Sequence, residues 1–439
     1  MYLLIPAVFL IGYTLIALEH PLHLDKSASA ILAGVLCWAL LAVDHSFVAQ
    51  LAGGGEAAAS FVDDKLLEHL SDISSILFFL LSAMTIVELI DAHSGFSIIT
   101  DKVKSSNKVA LLWGLSFLTF FLSAMLDNLT TAIVMSALLR KLVKDKEDLW
   151  FFAGMIIVAA NAGGAWSPIG DVTTIMLWIG GQVTTLNIMR EIFLPSLASL
   201  VVPLGVASLY FKGRVERPVA EAENGDENGN SHPVTRFEQR LILFMGVGAL
   251  LFVPVFKNYT HLPPFMGILF GLGVLWVTTE YLHGGKIHRS EQKVVAVLRR
   301  IDVPSVLFFL GILLAVAALE TGGYLAQLAT AMDKAFGNVY IINVLIGLLS
   351  SVVDNVPLVA GAMGMYPLAT FPPDHDFWEL LAYCAGTGGS ILIIGSAAGV
   401  ATMGILKIDF LWYLKRMSLL ALLGYLSGVG MYYLVNVLL

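Results

Sequence analysis

Charged residues are scarce in this chain. Aspartate, glutamate, lysine and arginine together make up 13% of the 439 residues, whereas 57% are hydrophobic and the mean hydropathy is +0.82. This composition excludes an ordinary water-soluble protein, which carries about 25% charged residues. We therefore predict an all-α polytopic membrane protein with about ten transmembrane helices. The apolar stretches begin near Tyr2, Ala28, Ile73, Trp150, Ile192, Leu241, Pro263, Val303, Leu380 and Met417.

Several other features are missing. The two cysteines, Cys37 and Cys384, lie in separate apolar segments, which excludes a disulfide framework and a cysteine metal site. The net charge is −8 and no basic stripe is present, so nucleic acid is not an expected partner. No HExxH, GxSxG or phosphate-binding loop occurs, which argues against a membrane enzyme and predicts no cofactor. The apolar N-terminus lacks a basic region and a cleavage site, so we expect it to form a first span.

One long segment is polar. Residues Gly213 to Arg236 have few large apolar side chains, which predicts a flexible cytoplasmic linker over 213–237. The linker divides the chain into two halves, and this division gives the predicted organisation. It comprises N-terminal spans and an acidic loop from Glu56 to Asp72 as a scaffold (1–71), a first repeat (72–212), connecting spans (238–301) and a second repeat (302–439).

The two halves carry the same blocks in the same order. DISSILFFLLSAMTIVELI from Asp72 resembles DVPSVLFFLGILLAVAALE from Asp302, and an Asp-Asn pair follows in each half, at Asp127 and Asp354. A glycine-rich block comes next. Gly163, Gly164 and Gly170 align with Gly388, Gly389 and Gly395, whereas Asn161 aligns with Gly386 and Asp171 with Ser396. These matches predict an internal repeat whose first half has kept more polar side chains.

Length and charge predict how the repeats sit in the membrane. Residues 109–139 are too few for two crossings of about 20 residues each, and lysines flank both ends, so we predict a re-entrant hairpin entered from the cytoplasm. A second hairpin over 338–371 is followed by acidic residues, which indicates entry from the outer face. Opposed hairpins imply inverted repeats. The glycines and Pro168 predict helices broken at the midplane, over 150–182 and 378–405.

Polar groups at the hairpin tips and helix breaks are the candidate ion and proton ligands. A charged side chain at membrane depth costs about 2.5 to 3.5 kcal/mol on insertion scales, so such residues indicate function. Hard cations prefer carboxylate, amide, hydroxyl and carbonyl oxygens. The candidates are Asp127, Asn128, Thr130, Asn161, Asp171, Thr173, Thr174, Asp354, Asn355, Ser390 and Ser396. Among them, we expect Na⁺ at Asp127, Asn128, Asn161, Asp171, Asp354 and Asn355.

The motifs resemble those of a known family. TIVELIDAHSGF from Thr85, the two Asp-Asn hairpins and SPIGDVTT from Ser167 resemble the NhaD-type sodium/proton antiporters of the ion transporter superfamily. The resemblance implies a mobile transport domain with two hairpins and two broken helices, a separate scaffold, a homodimer and elevator-like motion. Anion carriers of that superfamily have Ser-Asn-Thr at the hairpin tips, where this chain has Leu126-Asp127-Asn128 and Val353-Asp354-Asn355.

These observations favour a secondary Na⁺(Li⁺)/H⁺ antiporter of a bacterial cell membrane. Burial generally raises the pKa of an aspartate and a bound cation lowers it, so ions and protons would compete for the same carboxylates. An anion carrier for dicarboxylate or arsenite is the alternative, although Asp127 and Asp354 would repel such cargo. The three aspartates could also serve as helix N-caps, either with ion binding or instead of it. Glu88, His93 and Glu320 are possible accessory or pH-sensing residues.

Overall fold

The computed structural model describes residues 3–17, 19–22, 24–52, 57–96, 98, 105–216, 234–283 and 292–438. Helices form almost all of the regular structure in these ranges, and a single isolated bridge joins Asn107 to Arg214. The first half, before the linker, contains α1 (Leu4–Ala17), α2 (Glu19–Leu22), α3 (Lys26–Val43), α4 (His45–Leu51), α5 (Ala57–Ala92), α6 (Lys108–Leu126), α7 (Asn128–Leu142), α8 (Lys146–Ala165), α9 (Val172–Ile179) and α10 (Thr185–Tyr210).

The part of the chain after the linker is also helical. It contains α11 (Arg236–Thr260), α12 (Pro264–His283), α13 (Val294–Val297), α14 (Val303–Thr321), α15 (Tyr324–Phe336), α16 (Val339–Leu349), α17 (Asn355–Met365), α18 (Asp376–Gly388), α19 (Ala397–Leu406), α20 (Phe410–Arg416) and α21 (Ser418–Tyr433), followed by a π-helical turn (Leu434–Leu438). Across the described ranges, nine helices are long and apolar enough to cross a membrane. Two pairs bent by 114° and 118° bring the number to eleven if each pair is one span. The predicted all-α polytopic class is confirmed.

The predicted acidic loop from Glu56 to Asp72 is helical over its described residues, 57–72, so this prediction was wrong there; Glu56 lies outside the described residues. From Ala57 onward it forms the first turns of α5, a helix of 36 residues. The segment contains several alanine, leucine and glutamate residues, which are strong helix formers. Lys65 and Glu68 also form an ion pair at 2.7 Å on the helix surface. Charge density indicated that these residues meet water, but it carried no information about their backbone.

Most of the predicted linker, from 217 to 233, lies outside the described residues. Its first residues run beside the start of α6. Lys108 N donates to Gly213 O at 3.0 Å, and Val215 N donates to Ser106 O at 2.8 Å. At the other end, Thr235 caps α11, so that helix begins inside the predicted 213–237 range.

Each Asp-Asn pair lies between two consecutive helices. Helices α6 and α7 meet at Asp127, whose φ of 130° breaks the helical path in a single residue. Helices α16 and α17 are separated by the turn that ends at Asp354. The second helix of each pair packs against the interrupted helix of the other half, because α7 contacts α19 and α17 contacts α9. The two halves therefore interlock around their Asp-Asn pairs.

Glycines at aligned positions allow the same close backbone approach in both halves. A Cβ atom on Gly163 of α8 would collide with the carbonyl oxygen of Phe120 in α6. In the second half, a Cβ atom on Gly388 of α18 would collide with the carbonyl oxygen of Gly347 in α16. Only glycine leaves room for these contacts. Each Asp-Asn helix pair is consequently fixed against the interrupted helix of its own half.

Helix α3 packs tightly along α14. Gly34 faces the backbone of Gly311, so the two helices approach without intervening side chains. Trp38 Nε1 donates to Leu314 O at 2.9 Å, and Ser27 Oγ donates to Pro304 O at 2.8 Å. These contacts hold the first turn of α3 in a fixed position relative to the second half of the chain.

Candidate ion-binding site

Both interrupted helices resume at a polar N-cap. Asp171 precedes α9 and accepts a hydrogen bond from Thr173 N at 2.9 Å, and Ser396 precedes α19 and accepts one from Gly399 N at 3.1 Å. The first turn of a helix presents unpaired N–H groups and the positive end of the helix dipole, so a carboxylate at Asp171 is favoured there. The equivalent cap in the second half carries no charge.

A buried hydrogen-bond network surrounds Asp171. Asn128 Nδ2 donates to Asp171 Oδ2 at 2.6 Å and to Asn161 Oδ1 at 3.1 Å. Asn161 Nδ2 donates to the hydroxyl oxygens of Ser390 and Ser396, both at 2.9 Å. Asn355 Nδ2 lies 3.5 Å from Asp171 Oδ1, at the limit of a hydrogen bond. Residues from both halves thus meet at one point.

The charge of Asp171 has no cationic partner in the network. The carboxylate is 1% exposed, and its direct donors are amide, hydroxyl and backbone groups. No lysine, arginine or histidine forms an ion pair with it among the residues that the structure describes. A lone buried carboxylate is costly until a proton or a cation neutralises it. The surrounding oxygens are of the kind that coordinate a hard cation.

Asp127 lies at the turn between α6 and α7. Its Oδ1 accepts from Thr130 N at 2.8 Å, and its Oδ2 accepts from Thr130 Oγ1 at 2.7 Å. Both carboxylate oxygens therefore hold the first turn of α7. The neighbouring Asn128 points into the Asp171 network, so this Asp-Asn pair combines a helix cap with a network ligand.

Asp354 occupies the equivalent turn but has different surroundings. Its Oδ1 accepts from Val356 N at 3.2 Å, while its Oδ2 lies 3.6 Å from Lys26 Nζ. Both side chains face a cavity of about 420 Å³ that also reaches Ser396. Because Ser396 bonds Asn161, the cavity leads from the Asp354 turn to the edge of the Asp171 network.

The structure joins most of the predicted site residues. Hydrogen bonds connect Asn128, Asn161, Asp171, Thr173, Asn355, Ser390 and Ser396, and Thr174 bonds the backbone of Asp171 through its hydroxyl group. Asp127 with Thr130, and Asp354 with Lys26, lie at the two turns beside this network. All three aspartates do cap helices, as the alternative interpretation proposed. At Asp354 the cap uses Oδ1, whereas the ion pair with Lys26 uses Oδ2.

The three accessory residues have other neighbours. Glu88 lies 4.0 Å from Arg300, and Glu320 lies at the end of α14, next to Gly364. His93 is fully buried and stacks on His283, with their Nε2 atoms 2.9 Å apart. Their roles in transport or pH sensing stay predictions.

Sequence reasoning missed Lys26. It was not singled out because it begins an ordinary apolar span, far from either Asp-Asn pair in the chain. One signal was present, because a lysine in the first turn opposes the helix dipole and is unfavourable there without an acidic partner. That partner, Asp354, could not be identified without the fold.

Comparison with known proteins agrees with this architecture. A family model described as "Citrate transporter" matches residues 13–383. "Sodium/proton antiporter 1" and "Sodium/proton antiporter 2" of Arabidopsis thaliana are 47% and 44% identical, each over 98% of this chain and over 72% and 98% of their own lengths. "Na(+)/H(+) antiporter NhaD" of Vibrio cholerae is 34% identical over 98% of this chain and 91% of its own length. The chain belongs to the NhaD-type antiporter family. It is a multi-pass integral membrane protein, and these named relatives are transporters.

Proposed function

We propose that this protein exchanges Na⁺ or Li⁺ for protons across the membrane by alternating access. The observation that carries the proposal is Asp171, a buried carboxylate without a cationic partner in the described chain, enclosed by amide and hydroxyl groups from both halves. One negative charge in a dry site can be neutralised by one Na⁺ or one proton. Competition between the two for that charge would make binding of one release the other.

The proposed Na⁺ ligands lie around that charge. Hydrogen bonds join Asp171 to Asn128 and Asn355, and Asn128 to Asn161. Rotation of an asparagine amide would turn its carbonyl oxygen toward a cation. Asp127 and Asp354 lie at the flanking turns. The exchange requires no cofactor, since ions are the only reactants.

An anion carrier is the second candidate, because the matching family model is described as "Citrate transporter". The names of the similar sodium/proton antiporters do not favour it. The charge of the site opposes it. A dicarboxylate entering the Asp171 network would meet a carboxylate, and the entrance is lined by Asp354 and Glu19 with Lys26 as the opposite charge. Repulsion between like charges in a low-dielectric site is large.

The mode of movement extends the proposal. We infer an elevator-like motion in which the two interlocked helix pairs and interrupted helices carry the ion together, as inverted repeats in each subunit of a homodimer. The matched glycine contacts at Gly163 and Gly388 support movement as one body. We propose that the protein lies in a bacterial cell membrane. Fractionation of the source cells tests this location, and finding the protein in a different membrane would contradict it.

Transport in proteoliposomes tests the function. Purified protein is reconstituted with a pH dye inside, Na⁺, Li⁺ or K⁺ is added outside at several pH values, and an Asp127→Asn, Asp354→Asn double variant is run beside the wild type. Dissipation of a pH gradient by Na⁺ or Li⁺, which requires a cation concentration about tenfold higher or more in the variant, is the expected result. Uptake of labelled dicarboxylate or arsenite with no response to cations would overturn antiport in favour of the anion carrier.

A further inference from the structure

The ion pair between Lys26 and Asp354 spans two separate parts of the fold. Lys26 lies in the first turn of α3, which packs along α14, whereas Asp354 caps α17 beyond the turn after α16. Their N and O atoms are 3.6 Å apart, and the side chains are 24% and 18% exposed. The ring of Phe308 lies below the ammonium group, 4.5 Å from Nζ, and helps to hold it over the turn.

The pair is partly exposed. It faces the cavity of about 420 Å³, which Tyr13, Glu19 and Ser396 also line. Tyr13 Oη is buried without a hydrogen-bond partner among the described residues, so a polar group is available to an incoming ion. The ammonium group of Lys26 is a monovalent cation beside the carboxylate of Asp354, in the place that a free Na⁺ entering through the cavity would take.

We infer that Lys26 is a tethered competitor of the transported cation at Asp354, and that it fastens the α17 turn to α3 whenever Asp354 is charged and empty. Na⁺ releases the turn by taking the place of the ammonium group. A proton releases it by neutralising the carboxylate. Only the two loaded forms are then free to move, which would enforce exchange instead of a leak. The inference rests on the proposed antiport function.

The other two aspartates cannot play this part. Asp127 uses both carboxylate oxygens to bond Thr130, and Asp171 is enclosed by uncharged groups. Asp354 alone among them combines an ion pair, a cavity and one oxygen that no backbone donor occupies in the described structure. Replacing Lys26 with an uncharged residue should therefore change Na⁺ binding and the coupling of Na⁺ to proton movement without removing a ligand of the Asp171 network.

The test compares Lys26→Gln with Lys26→Arg, which keeps the charge, and with Lys65→Gln, which removes a lysine from an exposed ion pair on α5. Labelled Na⁺ flux and proton movement are measured in the same proteoliposomes. We expect Lys26→Gln to lower the half-saturating Na⁺ concentration about two- to fivefold, the range for loss of a partly exposed ion pair. It should also lower the number of protons moved per Na⁺, whereas both other variants behave as wild type.

A double-mutant comparison isolates the pair. In an Asp354→Asn background, Lys26→Gln should have no further effect on the half-saturating Na⁺ concentration, because the competitor has lost its target. Wild-type half-saturation and coupling in Lys26→Gln would overturn the inference, and so would a complete loss of Na⁺ flux, since removing a competitor cannot abolish downhill movement. Failure of the antiport proposal looks different, because the wild-type protein itself would then show no Na⁺-dependent proton movement.

Discussion

The two halves of this protein share a backbone arrangement but not a chemistry. Ser123 Oγ donates to Ala160 O at 2.6 Å in the first half, and Ser350 Oγ donates to Ala385 O at 2.8 Å in the second. At the helix breaks the likeness ends, because Asp171 caps one helix and Ser396 caps the other. Matched backbone contacts with different side chains show that the geometry of the site and its charge are separable properties of the sequence.

The largest effect is expected where the halves differ most. Asp171→Asn keeps the cap and the shape but removes the network's carboxylate. Loss of a charge-assisted contact of about 1.5–3 kcal/mol should weaken Na⁺-driven proton movement by about 10- to 100-fold. The rate of Na⁺-driven proton movement in proteoliposomes measures this loss. Ser396→Ala is the matched variant in the other half, and an equal loss there would show that the two breaks are equivalent after all.

The shared scaffold can be broken in either half. Gly163→Ala and Gly388→Ala each place a methyl group against a carbonyl oxygen, so both should destabilise the protein by about 1–3 kcal/mol, the usual cost of overpacking. Thermal unfolding in detergent measures the change. Gly114→Ala and Gly361→Ala are the controls, because nothing lies within 4 Å of a Cβ at either position. Unfolding temperatures like those of the controls would mean that the close contacts do not matter.

The aspartates of the two Asp-Asn turns differ in how readily their carboxylates can bind a cation. Asp354→Asn should raise the half-saturating Na⁺ concentration about tenfold, equivalent to about 1.4 kcal/mol, because an exchangeable carboxylate facing the cavity is lost. Asp127→Asn should have a smaller effect on Na⁺, since both oxygens of Asp127 bond Thr130 and asparagine is itself a good N-cap. Titration of transport with Na⁺ separates the two variants. The reverse order would make the α6–α7 turn the point of ion entry.

The smallest effect should be equal in the two halves. Ser123→Ala and Ser350→Ala each remove one hydrogen bond to a neighbouring helix, worth about 0.5–1.5 kcal/mol. The unfolding temperatures of the two variants should fall by similar amounts, and transport by the remaining folded protein should be kept. A large difference between the two unfolding temperatures would indicate that the two hydrogen bonds do not stabilise the protein equally.

Much of this was predictable from the sequence, and the reasons are physical. Low charge and long apolar stretches suffice for an all-helical membrane protein, because lipid permits few other backbones. The site residues could be named because polar groups at membrane depth are expensive, and hydrogen bonds join many of them around Asp171. The hydrogen bonds from Asn161 to Ser390 and Ser396 could not be predicted, since they depend on how the halves interlock. Lys26 was missed for the same reason. The helix that begins at Ala57 was missed because its charged residues were taken as a sign of a loop.

The matched glycine contacts have an evolutionary consequence. Because the backbone contacts through Gly163 and Gly388 do not involve the helix caps, a mutation at a cap such as Asp171 or Ser396 alters the polar groups of one half while both halves keep their close packing. New ion preferences can then arise through a few codons at the caps and turns. One half can therefore change its polar side chains while the matched contacts of both halves preserve the fold.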